Sequence, residues 1–189
     1  MACGDGTKPL PIIGDRTYPD GTVDIHTIRD FQLVNQLGDT ITNRDFENKI
    51  YLIDFFFTSC PSICPKVTKQ MLRLYDHVRE YDDVILVSTS IDPIRDTPEV
   101  LKRYADNLNI DDSRWLFLTG DKDEIMELAN EDYFVTALVA PDVPGGFDHS
   151  GKIILLDKSA RIRGFCEGTE SESVSGMMKM IDQLRAEYE

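Results

Sequence analysis

Ile50-Tyr51-Leu52-Ile53-Asp54-Phe55-Phe56-Phe57-Thr58-Ser59-Cys60-Pro61-Ser62-Ile63-Cys64-Pro65 is the stretch that decides how this chain of 189 residues is read. Ile50 to Phe57 is a continuous apolar run broken only by Asp54, the pattern of a strand buried on both faces of a parallel sheet. From Pro65 onward Val67, Met71, Leu74, Tyr75 and Val78 recur at helical spacing, the stripe of an amphipathic helix. The first unit is thus a strand, a short loop with two cysteines, and a helix.

The same order follows downstream. Val84 to Ile91 reads as a second central strand, and Thr97-Pro98 opens a helix to about Leu108, with Thr97 as cap and Pro98 at the first helical position. Trp115 to Leu118 reads as a third strand, and Asp121 with Glu124 has the spacing of a helix start, that helix running to about Tyr133. Phe31 to Thr42 forms a hairpin about Leu37-Gly38-Asp39. After a Pro- and Gly-rich loop from Ala140 to Gly146, Lys152 to Asp157 and Arg161 to Cys166 form another hairpin, turning at Lys158-Ser159. Val174, Met177, Met178, Ile181 and Leu184 mark a final helix. The expected fold class is α/β: a sheet with helices on both faces and an N-terminal β-hairpin extension. Sites in such sheets lie beyond the carboxyl ends of the strands, where both cysteines fall.

This length suits one domain, expected over residues 25–189, with residues 1–24 as a flexible N-terminal tail or linker. Lys and Arg number 20 against 34 Asp and Glu, a formal net charge of −14 that repels a phosphate backbone and argues against nucleic acid as a partner. No run approaches the roughly 18 apolar residues needed to span a bilayer. Met1-Ala2-Cys3-Gly4, ahead of a polar segment, resembles the maturation site of a bacterial lipoprotein, so lipidation of Cys3 is the expected membrane tether.

Cys60 and Cys64 are spaced to share one helical face, and the positive end of the helix favours thiolate, which lowers the pKa of at least one of them. Thiolate is both a nucleophile and a soft metal ligand, suited to copper and, less well, to zinc. Alpha carbons at this spacing in a helix lie about 6 Å apart, within the range a disulfide permits. The plain alternative is two small buried hydrophobes. It leaves unexplained why Pro61 and Pro65 stand immediately behind each sulfur.

Thr58 to Pro65, then Ser90-Ile91-Asp92-Pro93-Ile94-Arg95-Asp96-Thr97, then Asp148-His149-Ser150, resemble in order and spacing the Sco/SenC family of copper-handling proteins. The resemblance covers roughly Phe31 to the end. It implies a thioredoxin-like fold, a place in the periplasm or cell envelope, and copper held by Cys60, Cys64 and His149. It also implies a client, the copper-centre subunit of cytochrome c oxidase, to which copper is delivered or whose cysteines are reduced. Imidazole completes a soft site on chemical grounds as well. His77 reads as a surface residue, His26 has no evident partner, and fold analogy places His149 against the cysteine helix.

Two features depart from the family pattern. Glycines flank the histidine segment at Gly145, Gly146 and Gly151, which favours a looser loop and weaker copper binding. Cys166 is the other: a symmetric turn at Lys158-Ser159 sets it opposite Gly151, two residues from His149, as a third sulfur near the site or as a small buried hydrophobe. Asp92 and Asp96 are read as turn and cap residues rather than as an acid pair. The leading expectation is a copper chaperone. Its rival is a thiol-disulfide oxidoreductase in which Cys60 and Cys64 are the catalytic redox pair, with a thiol peroxidase resolved by Cys166 more distant.

Overall fold

The computed structural model describes residues 8–140 and 146–189, and His149 by its backbone. The strands are β1 (Arg16–Thr17), β2 (Val23–Asp24), β3 (Gln32–Asn35), β4 (Thr40–Thr42), β5 (Ile50–Phe56), β6 (Val84–Ser90), β7 (Trp115–Thr119), β8 (Ala137–Val139), β9 (Phe147–His149), β10 (Lys152–Leu156) and β11 (Ile162–Glu167). The helices are α1 (Cys64–Val78), α2 (Pro98–Leu108), α3 (Lys122–Glu127) and α4 (Ser171–Ala186).

Seven strands form the main sheet in the order β11-β10-β5-β6-β7-β3-β4. β5, β6 and β7 are parallel, from Ile50 opposite Val84 to Phe56 opposite Ser90, and the flanking pairs are antiparallel. Every residue of β5 and β6 is buried, as a strand covered on both faces requires. Alternation sorts their side chains. On one face Phe56 and Phe117 meet Tyr104 of α2, and Trp115 meets Tyr75 of α1. On the other, Phe55 meets Tyr133, which follows α3. Met71 and Leu74 of α1 are completely buried, as its stripe predicts. The N-terminal hairpin is β3 and β4, joined to the sheet through β7.

Three details differ from the sequence reading. The helix expected to reach Tyr133 ends at Glu127 and continues as a π-helical turn over Leu128–Asp132. Arg29 grips that turn through Glu127, Glu131 and Asp132, at 2.6, 2.6 and 2.5 Å. His26, without an evident partner in the sequence, bonds through Nε2 to the Asp132 carbonyl at 2.7 Å and lies against Phe134.

The second difference is the register of the β10–β11 hairpin. Cys166 pairs with Ile153, not with Gly151, because a bulge between Leu155 and Leu156 and a left-handed Ala160 (φ 55°) make the turn asymmetric. Burial holds the Cys166 thiol up at about 12, the main cause being loss of solvent.

The third concerns the segment read as a linker. From Lys8 to Asp24 it carries the β1–β2 pair and a bridge from Ile13 to Ile162. Arg163, only 5% exposed, binds the Leu10 and Pro11 carbonyls together with Asp157 and Glu187, and Arg161 pairs with Asp15. Cys3 lies outside the described residues.

Candidate metal and thiol centre

Cys60 and Cys64 sit where the β5 chain leaves the sheet. Cys60 does not lie on the helix, as its spacing suggested: α1 begins at Cys64, with Ile63 as N-cap and Pro65 in the first turn. Proline lacks the amide that would extend the helix backward, so Pro61 to Ile63 turn instead and bring the first sulfur in from the loop. The Cys60 amide donates to the Phe57 carbonyl at 3.2 Å, and its sulfur lies 3.5 Å from the Ser62 hydroxyl.

Both residues are thiols, 7% and 3% exposed respectively. Burial pushes the Cys64 thiol far up, with lesser contributions from the Cys60 thiol and Asp54, against a lowering by the Phe57 backbone. The expected lowering by the helix end is therefore outweighed at Cys64, because desolvation in this buried corner exceeds a partial charge. Cys60 and Cys64 line one cleft together with Pro65, Thr68 and Tyr104.

His149 ends β9, opposite Ala137 of β8. Its flanks are fastened on either side of the cysteine loop. Phe147 packs on Phe57 with ring centres 5.3 Å apart. Gly151 lies so close to α1 that an added Cβ would stand 3.2 Å from Val67 and 3.6 Å from Ile63. The segment that carries His149 is thus fastened at both ends to residues that flank the two cysteines in sequence. Among the described side chains no group of three His, Cys, Asp or Glu gathers in ligating range, and the His149 side chain is not among them.

Asp92 behaves as its sequence suggests: its carbonyl accepts from the Arg95 and Asp96 amides, and Arg95 lies 2.9 Å from its Oδ2. Asp96 does not. The helix cap is Thr97, and the Asp96 carboxylate crosses to Thr58. Nothing in the sequence marks that contact, since the two residues belong to different strand-to-helix connections. His77 faces outward and pairs with Asp182 at 2.9 Å.

A parallel sheet carrying a cysteine pair at the mouth of its first helix, with a histidine strand laid beside it, defines a thiol-bearing thioredoxin-like domain. The chain belongs to the SCO1/SenC family, which it matches over residues 20–185. It is 33% identical to a SCO2-like protein of Rickettsia typhi over 135 residues, 69% of this chain and 65% of that protein's length. It superposes on BsSco, a member of the Sco family of cytochrome c oxidase assembly proteins in which a disulfide switch was identified (TM-score 0.70, 27% identity, 82% of this chain and 93% of that one). It also superposes on Bradyrhizobium japonicum ScoI with copper bound (TM-score 0.64, 30% identity, 82% and 98%).

Proposed function

We propose that this protein is a copper chaperone for cytochrome c oxidase assembly, holding copper between Cys60, Cys64 and His149. The observation that supports the reading is the pair of buried thiols lining one cleft, with the segment that carries His149 fastened to Phe57 on one side and to Ile63 and Val67 on the other. Two sulfurs and an imidazole are a soft donor set that favours Cu(I) and accommodates Cu(II). The client is the copper-centre subunit of the oxidase, which receives copper or has its cysteines reduced. Attachment to the cell envelope is through Cys3 as a lipidation site, as the Met1-Ala2-Cys3-Gly4 motif suggests; among the described residues no helix is long and apolar enough to cross a membrane.

His149→Ala separates metal handling from thiol exchange. The variant weakens Cu(II) binding by about 10- to 100-fold and Cu(I) binding less, because Cu(II) depends more on nitrogen donors. It leaves Cys60 and Cys64 able to cycle with glutathione. Metal competition and glutathione equilibration on both proteins read the two effects. Unchanged copper affinity with lost thiol exchange would make the oxidoreductase reading the better one.

A pH titration tests the buried thiol. Copper must displace the Cys64 proton, which burial holds on well above neutrality, so metal binding releases that proton throughout the neutral range. Cu(I) affinity therefore rises by at least roughly tenfold per pH unit from pH 6 to 8. A flat profile, measured against a competitor of known pH dependence, would show the site to be bound without Cys64.

A further inference from the structure

Asp96 is completely buried, in the connection between β6 and α2. A buried carboxylate is costly unless hydrogen bonds fill its lone pairs. The neighbouring cation does not serve it, for Arg95 turns to Asp92. Its partners are the Thr58 amide at 3.0 Å, the Thr58 hydroxyl and the Ser90 hydroxyl. Two of these three donors belong to one residue, 38 positions away and two before Cys60. The turn that sets Cys60, closed by its amide on the Phe57 carbonyl, is thus held from its middle by a group in another loop.

We propose that Asp96 is a positioning residue of the thiol centre: by fixing Thr58 it sets where Cys60 stands relative to Cys64. The inference rests on the reading of these thiols as the working site. Cys64 stands in the first turn of its helix, whereas Cys60 stands in the loop before it. Any reaction that uses both sulfurs together depends on that loop. One is copper capture. Another is oxidation by glutathione disulfide, in which the Cys60–Cys64 bond forms, the glutathione S–S bond breaks, and both protons and both electrons pass to two glutathione thiols.

The role is geometric, so it predicts an order among variants. In Asp96→Asn the amide oxygen accepts from the Thr58 amide and Ser90, and the Thr58 hydroxyl rotates to accept from the new NH2. This variant and Thr58→Ser stay within about threefold of the parent in both assays. Asp96→Ala and Thr58→Val shift the glutathione equilibrium constant by about tenfold, or about 30 mV for a two-electron couple. Both also lower Cu(I) affinity, measured by chelator competition, by about tenfold. Thr58→Val keeps the backbone bond and so keeps the test alive if Asp96→Ala fails to fold. Leu74→Ala, a destabilising change at a buried residue outside the centre, should move neither equilibrium.

An equilibrium that stays at the parent value in Thr58→Val, or an Asp96→Asn variant as damaged as Asp96→Ala, would overturn the positioning role. If the parent bound no copper while the glutathione shifts appeared in this order, the copper reading would fall and the positioning role would stand.

Discussion

Cys60→Ser and Cys64→Ser each lower Cu(I) affinity by at least about a thousandfold, roughly 4 kcal/mol of binding free energy. A serine hydroxyl stays protonated at neutral pH and offers copper a hard oxygen, so each exchange removes one of only two soft anionic donors. The two losses are of similar size because the sulfurs act as a pair. Both residues belong to the buried cluster, but serine nearly matches cysteine in size, so neither exchange should unfold the domain. Chelator competition measures the affinity and circular dichroism checks the fold. Retention of Cu(I) by either single variant would remove that cysteine from the site.

The second large effect is at Gly168, just past β11. A Cβ there would meet the Gly151 carbonyl oxygen at 2.5 Å and Val67 and Ile153 at 3.0 Å. The first of these is backbone, and its carbonyl already accepts the Gly168 amide at 2.8 Å, so it has no free direction in which to retreat. Gly168→Ala therefore costs about 3 kcal/mol, at the upper end of ordinary overpacking. It also pushes the segment that carries His149 away from α1. Urea unfolding reads the first effect, and a weakened Cu(II) affinity in the folded fraction reads the second. A variant as stable as the parent would show that Gly151 and Gly168 are not in the contact described.

The core of this arrangement was legible because two strong periodicities meet at the cysteines. The all-apolar run of β5 and the stripe of α1 leave the sulfurs nowhere to be but at a strand end under a helix start. What escaped the sequence depends on contacts between distant residues. Spacing alone set Cys60 on the helix, and it took the placement of two prolines to move it into the loop. Counting outward from Lys158-Ser159 placed Cys166 opposite Gly151, because a bulge and one left-handed residue leave no periodic trace. Asp96 looked like a cap, since capping chemistry is local, while its actual partner is 38 positions away. The fastening of Lys8 to Asp24 rests on buried Arg163 of β11 and on Arg161 just before it, and a polar segment gives no hint of which distant side chain will hold it.

That fastening gives the molecule a direction. Ile13 joins Ile162, which stands level with Leu156 and, through it, with Tyr51 at the entry of β5. The thiols lie past the exit of the same strand, whose seven residues span about 20 Å. The upstream chain therefore enters at one pole and the cysteines lie at the other. A surface that gripped the chain near Leu10 would hold the domain like a torch by its base, with the loop that covers the thiols turned toward a client approaching from the far side.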